Sequence, residues 1–120
     1  MRNLERREAL DRAAAEAGVK LAIEQLDVVS SSVSLKVREL VLKYGPFFGL
    51  VNNAGGQYIT PLESISAKGW DAVVATNLTG GFLMARECYL QSMSKNGGSI
   101  VNIVADMWGS MPGMGHSGAA

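Results

Sequence analysis

Cysteine is almost absent from this chain: Cys88 is the only one in 120 residues. A single thiol excludes an internal disulfide and suits a reducing compartment. An excess of charge of either sign is also lacking, because eleven acidic residues balance eleven basic ones. That balance removes the electrostatic case for nucleic acid or an anionic membrane surface as partner. No apolar run approaches the roughly 20 residues that a bilayer-crossing helix needs. The start, Met1-Arg2-Asn3-Leu4-Glu5-Arg6-Arg7-Glu8, is charged and does not read as a secretory signal. No internal repeat, low-complexity tract or metal site is read. What remains is the size and composition of one globular domain.

The chain is an alternation of helical and strand-like segments. Leu4 to Ala17 is rich in Ala, Glu and Arg, with Leu4, Leu10, Ala13, Ala14 and Ala17 as its expected buried face and Gly18 as its stop. Val19 to Val28 alternates in part and is read as a strand. Ser30, Ser31 or Ser32 is expected to cap a second helix. Its apolar positions are Val33, Val37, Leu40, Val41 and Tyr44, and Gly45-Pro46 ends it. Phe47–Asn52 is a second strand. Pro61–Ile65 suggests a short helical turn, and Ser66–Trp70 a cap for a long helix from Trp70 to Met93, weakest at Gly80-Gly81. Ser99–Val104 is a third, β-branched strand, followed by a glycine- and methionine-rich loop from Asp106 to Gly118. Strands alternating with helices imply an α/β fold with a doubly wound parallel sheet. Three strands are few for such a sheet, and the first helix has no strand before it. Residues 1–120 are therefore expected to be the central fragment of a larger domain. Cys88 falls in a helical stretch without a base beside it, which reads as a small core residue.

The segment of most chemical interest is Asn52-Asn53-Ala54-Gly55-Gly56, which follows a buried strand. Side-chain amides carry donors and acceptors on a short arm. Glycine allows a sharp turn and the close approach of a ligand. Ligands of open α/β sheets bind outside the carboxyl ends of the strands, so this segment reads as one wall of a cofactor cleft.

Four signals occur in order: Leu26-Asp27-Val28, Asn52-Asn53-Ala54-Gly55, Thr76-Asn77-Leu78-Thr79-Gly80 and Gly98-Ser99-Ile100-Val101-Asn102-Ile103. Together they resemble the short-chain dehydrogenase/reductase family, over nearly the whole chain. Gly115-His116-Ser117-Gly118-Ala119-Ala120, Gly55-Gly56-Gln57 and Ser66–Trp70 resemble more narrowly the subgroup that holds peroxisomal trans-2-enoyl-CoA reductase and related bacterial reductases. The resemblance implies a partial Rossmann-type NAD(P)-binding domain lacking its first two strands and its C-terminal part. It implies hydride transfer between a nicotinamide and a carbonyl or enoyl substrate, an acyl-CoA included. NADP is preferred to NAD through Arg2, whose other reading is a solvated helix-start cation. Asp27 and Val28 would contact the adenine, Asp27 alternatively capping the next helix. Asn53, Ala54 and Gly55 would line the cofactor ribose, and Asn77 would be the active-site asparagine. The full-length protein is expected to be a homo-oligomer in the cytoplasm, or in the peroxisome of a eukaryote.

The family pattern is broken in two places. Its glycine-rich pyrophosphate turn has no counterpart, and no hydroxyl stands where its catalytic serine is expected. The chain reads Val104-Ala105-Asp106-Met107-Trp108-Gly109 there. Asp106 is the nearest polar group, acting protonated, by position, or in a different mechanism. His116, close to where the family's tyrosine would be sought, is read as a proton donor or as a loop histidine without chemistry. Ser117 is the other candidate. Met107, Trp108, Met111 and Met114 suit a hydrophobic substrate, or packing against other parts of the protein. A second reading makes the chain an inactive dehydrogenase-fold piece that serves binding or assembly.

Overall fold

A computed structural model describes residues 4–109 and 111–120. Arg2 lies outside the described residues. Helix α1, Leu4–Glu16, ends where Gly18 turns the chain at φ +66°. Where its expected buried face is described it is not buried: Leu10, Ala13 and Ala17 are exposed and Ala14 is half-buried, while the Leu4 side chain lies outside what is described. Good helix formers suffice for the helix, but burial needs an element to pack against.

Residues 19–27 carry no strand, and the described sheet has two strands instead of the three expected. An isolated strand leaves its backbone groups unpaired, so a strand-like pattern needs a neighbour to become one. Here the segment is held to helix α2, Val33–Tyr44, by side chains. Lys43 Nζ donates to Glu24 at 2.8 Å, the Tyr44 hydroxyl at 2.6 Å and Lys36 Nζ at 3.2 Å. These three donors, Lys43 first, hold the Glu24 carboxyl down at about 2 instead of 4.5. A depressed acid stabilises above its unfolded value and loses that contribution as pH falls towards its folded value. The 19–27 segment is therefore expected to loosen as pH drops from about 4.5 towards 2. Amide exchange across the segment, with Glu24→Gln removing the acid-dependent step, checks this.

The serine cap takes an unexpected form. Ser32 is the N-cap residue of α2 without a side-chain bond to the helix. Ser30 Oγ instead accepts from the Ser32 amide at 3.1 Å, and Asp27 Oδ1 accepts from the Val29 amide at 3.1 Å. Both short side chains satisfy amides two residues on, closing the turn before the helix rather than the helix itself.

Strand β1, Gly49–Asn52, pairs in parallel with β2, Ser99–Asn102, as expected, in the register Gly49 to Ser99 through Asn52 to Asn102. Between them lie a 3₁₀ turn, Leu62–Ser64, and a long helical run. The run comprises α3 (Ala67–Val74), a π-helical turn (Ala75–Thr79), α4 (Gly80–Cys88), a second π-helical turn (Tyr89–Met93) and α5 (Ser94–Asn96). Ser66 Oγ accepts from the Gly69 amide and caps α3. The interior irregularity precedes Gly80-Gly81 instead of coinciding with it. Thr76 Oγ1 donates back to the Ala72 carbonyl at 2.9 Å, the kind of local bond that disturbs a helix ladder.

The core joins α2 to this run. Val33, Val37, Cys88 and Met93 are buried together, with Leu26, Phe47, Leu50 and Met84 against them. Cys88 is a core residue, its thiol pushed up by burial and by the Glu87 carboxylate, which disfavours the reactive thiolate. Helix α6, Gly115–Ala119, packs against α3.

Candidate cofactor cleft

Parallel pairing brings the carboxyl ends of β1 and β2 side by side, and each ends in asparagine. Asn52 Nδ2 donates to Asn102 Oδ1 at 2.9 Å and to the Gly81 carbonyl at 3.2 Å. One amide thus ties two strand ends and the long helix together. Asn102 is the partner that sequence reading missed as a site residue. Its signal was an asparagine within the apolar run of the Ser99–Val104 strand; only the structure ends the strand there.

Beyond these ends opens a cleft of about 920 Å³. Val28, Asn53, Ala54, Gly55 and Asn77 all line it. Five of the candidate residues, drawn from positions 28 to 77, thus meet at one place. Asn77 lies in the π-helical turn, and its Oδ1 accepts from the Gly56 amide at 2.9 Å. A Cβ built on Gly55 would come 3.2 Å from the same oxygen, so glycine lets the loop sit down on Asn77. Gly80 faces Val28 more tightly still, a built Cβ lying 2.7 Å from Val28 Cγ2. Gly80→Ala is expected to displace Val28 at a cost of about 1–3 kcal/mol. Better helix propensity offsets about 1 kcal/mol of that. The net loss should appear as a lower denaturation midpoint at unchanged slope.

The other candidates stand apart. Asp27 does not line the cleft, and its carboxylate is engaged in the turn at Val29 rather than in capping α2. Asp106 Oδ1 accepts from the Trp108 amide at 3.1 Å, which gives it a turn-forming role in the loop after β2. His116 is fully buried and lies outside the cleft lining, its ring 4.5 Å from that of Tyr58 at 76°. Both His116 ring nitrogens and Ser117 Oγ have no hydrogen-bond partner among the described residues. Ser117 and Gly118 do line the cleft. The four apolar loop residues do not form one wall. Met107 reaches the cleft, Trp108 is 99% exposed, Met111 is exposed and Met114 is buried.

Among the described residues no charged side chain lines the cleft. Backbone amides, asparagine amides and glycines predominate around its strand-end side. That lining, without charged side chains of its own, is compatible with the uncharged portions of a dinucleotide, its sugar and ring.

A family model described as short chain dehydrogenase matches residues 1–118. The chain is 36% identical over 104 residues to "Probable 2,4-dienoyl-CoA reductase [(2E)-enoyl-CoA-producing]" of Bacillus subtilis (strain 168), covering 84% of this chain and 41% of the relative. Its structure is similar to that of a citronellol catabolism dehydrogenase from Pseudomonas aeruginosa PAO1, with TM-score 0.86 and 49% identity over 99% of this chain and 49% of that one. It is also similar to a gluconate 5-dehydrogenase from Burkholderia cenocepacia J2315 solved with NADP and tartrate, with TM-score 0.83, 27% identity and coverage of 99% and 48%. The chain thus spans half or less of the length of these proteins.

Proposed function

Because the chain belongs to the short-chain dehydrogenase/reductase family, we propose that it supplies the strand-end wall of a nicotinamide cofactor cleft in an NAD(P)-dependent oxidoreductase. The observation that carries this is the convergence of Val28, Asn53, Ala54, Gly55 and Asn77 on one cleft at the ends of two parallel strands. NADP is favoured over NAD, in keeping with the NADP held by the similar gluconate 5-dehydrogenase. Arg2 is proposed as its 2′-phosphate contact.

The bound nicotinamide supplies the hydride. The residues of this chain bind and orient. Asn53, Ala54 and Gly55 form the ribose-side wall, Val28 packs against the adenine end, and Asp27 fixes the turn that presents Val28. Asn77 holds the loop by Gly56 and places a polar helix turn beside the reaction centre. Asp106 acts by position, shaping the loop that carries Met107.

The proposed substrate is a carbonyl or enoyl compound with an apolar chain, an acyl-CoA among them. Met107 and Ala105 offer an apolar side to the cleft, and the Bacillus relative carries the name of an enoyl-producing reductase. Tyr89 and Leu90 are exposed along the long helical run and lie outside the cleft lining, which supports assembly as a homo-oligomer. The single buried cysteine suits the cytoplasm.

The test is nicotinamide oxidation by the full-length protein, followed with NADPH and NADH against dienoyl-CoA, enoyl-CoA, apolar aldehydes and polyol-derived ketones. Turnover with NADPH and an apolar acyl or carbonyl substrate is expected. Absence of both turnover and nucleotide binding would overturn the proposal.

A further inference from the structure

Two segments that meet at the cleft, a loop and the chain through helix α6, are also joined behind it. The first runs from Asn53 to Pro61 and lines the cleft at Asn53–Gln57. The second lines it at Ser117, Gly118 and Ala120. Behind the lining, the Thr60 amide donates to the Gly113 carbonyl at 2.9 Å. Gly113 has φ +80°, and a Cβ built there would stand 3.0 Å from Ile59 Cγ2. Only glycine suits both the backbone conformation and the space. Next to this seam, Tyr58 and His116 meet with ring centroids 4.5 Å apart at 76°. That is the edge-to-face geometry aromatic quadrupoles prefer. Tyr58 also rests its hydroxyl on Gly69, in the first turn of α3, where any Cβ would overlap it.

His116 is 0% exposed, and neither ring nitrogen has a hydrogen-bond partner among the described residues. Burying an imidazole in this way is unfavourable as packing alone, and an apolar side chain would fill the space at lower cost. The distinctive contact it makes is the one with Tyr58. Immediately after it in sequence come the residues that reach the cleft.

We propose that the Tyr58–His116 contact is a latch that couples the two walls of the cleft, with His116 a positioning residue. Tyr58 sits two residues beyond Gly56, whose amide is held by Asn77. His116 sits one residue before Ser117. Loosening either ring frees the wall on the opposite side. The latch rests on the cleft reading above, but its mechanical content can be tested without cofactor.

The experiment is amide exchange on the full chain for wild type, His116→Leu, His116→Phe and Tyr58→Leu. His116→Leu is expected to speed exchange of the Gly56 amide by about tenfold, the scale of an edge-to-face pair. Amides of α2 stay as in wild type, and His116→Phe, which keeps an aromatic edge, restores protection. Tyr58 is partly exposed, so Tyr58→Leu spares the core. It is expected to speed exchange of the Gly118 amide, which bonds the Met114 carbonyl at 2.8 Å. If each variant changes only its own side of the seam, the latch is refuted. That conclusion rests on Tyr58→Leu alone should His116→Leu also open α2. An NADPH titration is run in parallel, with affinity expected to fall by about tenfold in both leucine variants. Failure of wild type to bind NADPH would count against the cofactor reading and leave the exchange data to decide the latch.

Discussion

Asn77→Ala is expected to lower kcat for nicotinamide oxidation by about 10²-fold, the lower end of what a group acting in proton transfer contributes. The structure makes the effect twofold in kind. Asn77 stands in a π-helical turn, a feature common at functional sites. Its Oδ1 accepts from the Gly56 amide, and so holds the loop proposed above as the ribose wall. Removing the amide frees that wall and takes the polar group from the helix turn. Asn77→Asp keeps the acceptor for Gly56 while adding a negative charge in a cleft that has none among its described lining residues. It should therefore retain cofactor affinity better than kcat. Steady-state kinetics separates the roles: a raised cofactor KM at unchanged kcat would reduce Asn77 to a loop anchor.

Met93→Ala is expected to destabilise the fold by about 2–5 kcal/mol, read from the denaturant midpoint at constant slope. Met93 is 5% exposed and sits in the cluster with Val33, Val37 and Cys88. Its side chain also fills the place beside Gly98, where a Cβ would lie 2.9 Å from Met93 Cγ. Truncation leaves a cavity bordered by backbone that cannot easily collapse. Because whole domains are stable by only about 5–15 kcal/mol, this single change threatens folding. Trp108→Ala is the contrast. Its side chain is 99% exposed, and a change within about 0.5 kcal/mol is expected.

The cleft was legible because its residues are read locally. Asn52 to Gly55 announce a turn at a strand end, and Asn77 is conspicuous in a helix because its side chain competes with the backbone. Short-range chemistry also revealed the Ser66 cap, the stop at Gly45 and the core character of Cys88. The strand expected at residues 19–28 failed for the opposite reason. Alternation describes a surface that could join a sheet, but pairing requires a neighbour at about 4.8 Å, and none lies there among the described residues. The ion-pair cluster at Glu24 took its place, joining residues 12 to 20 positions apart. The buried face expected of α1 failed likewise, since periodicity says which side could be covered and not whether anything covers it.

The roles of Asp106 and His116 turned on tertiary detail. Each stands near a place where family resemblance calls for a catalytic group, and neither is among the residues lining the cleft. Asp106 closes a turn at Trp108, and His116 is buried against Tyr58 behind the wall. By itself the sequence determined the α/β class, the family and the asparagine-glycine wall, because these rest on residue type at short spacing. The pairing of Asn52 with Asn102, the seating of Gly56 on Asn77 and the place of His116 were decided only by the tertiary structure. They depend on which distant segments come within hydrogen-bond or van der Waals reach, and sequence spacing carries no measure of that distance.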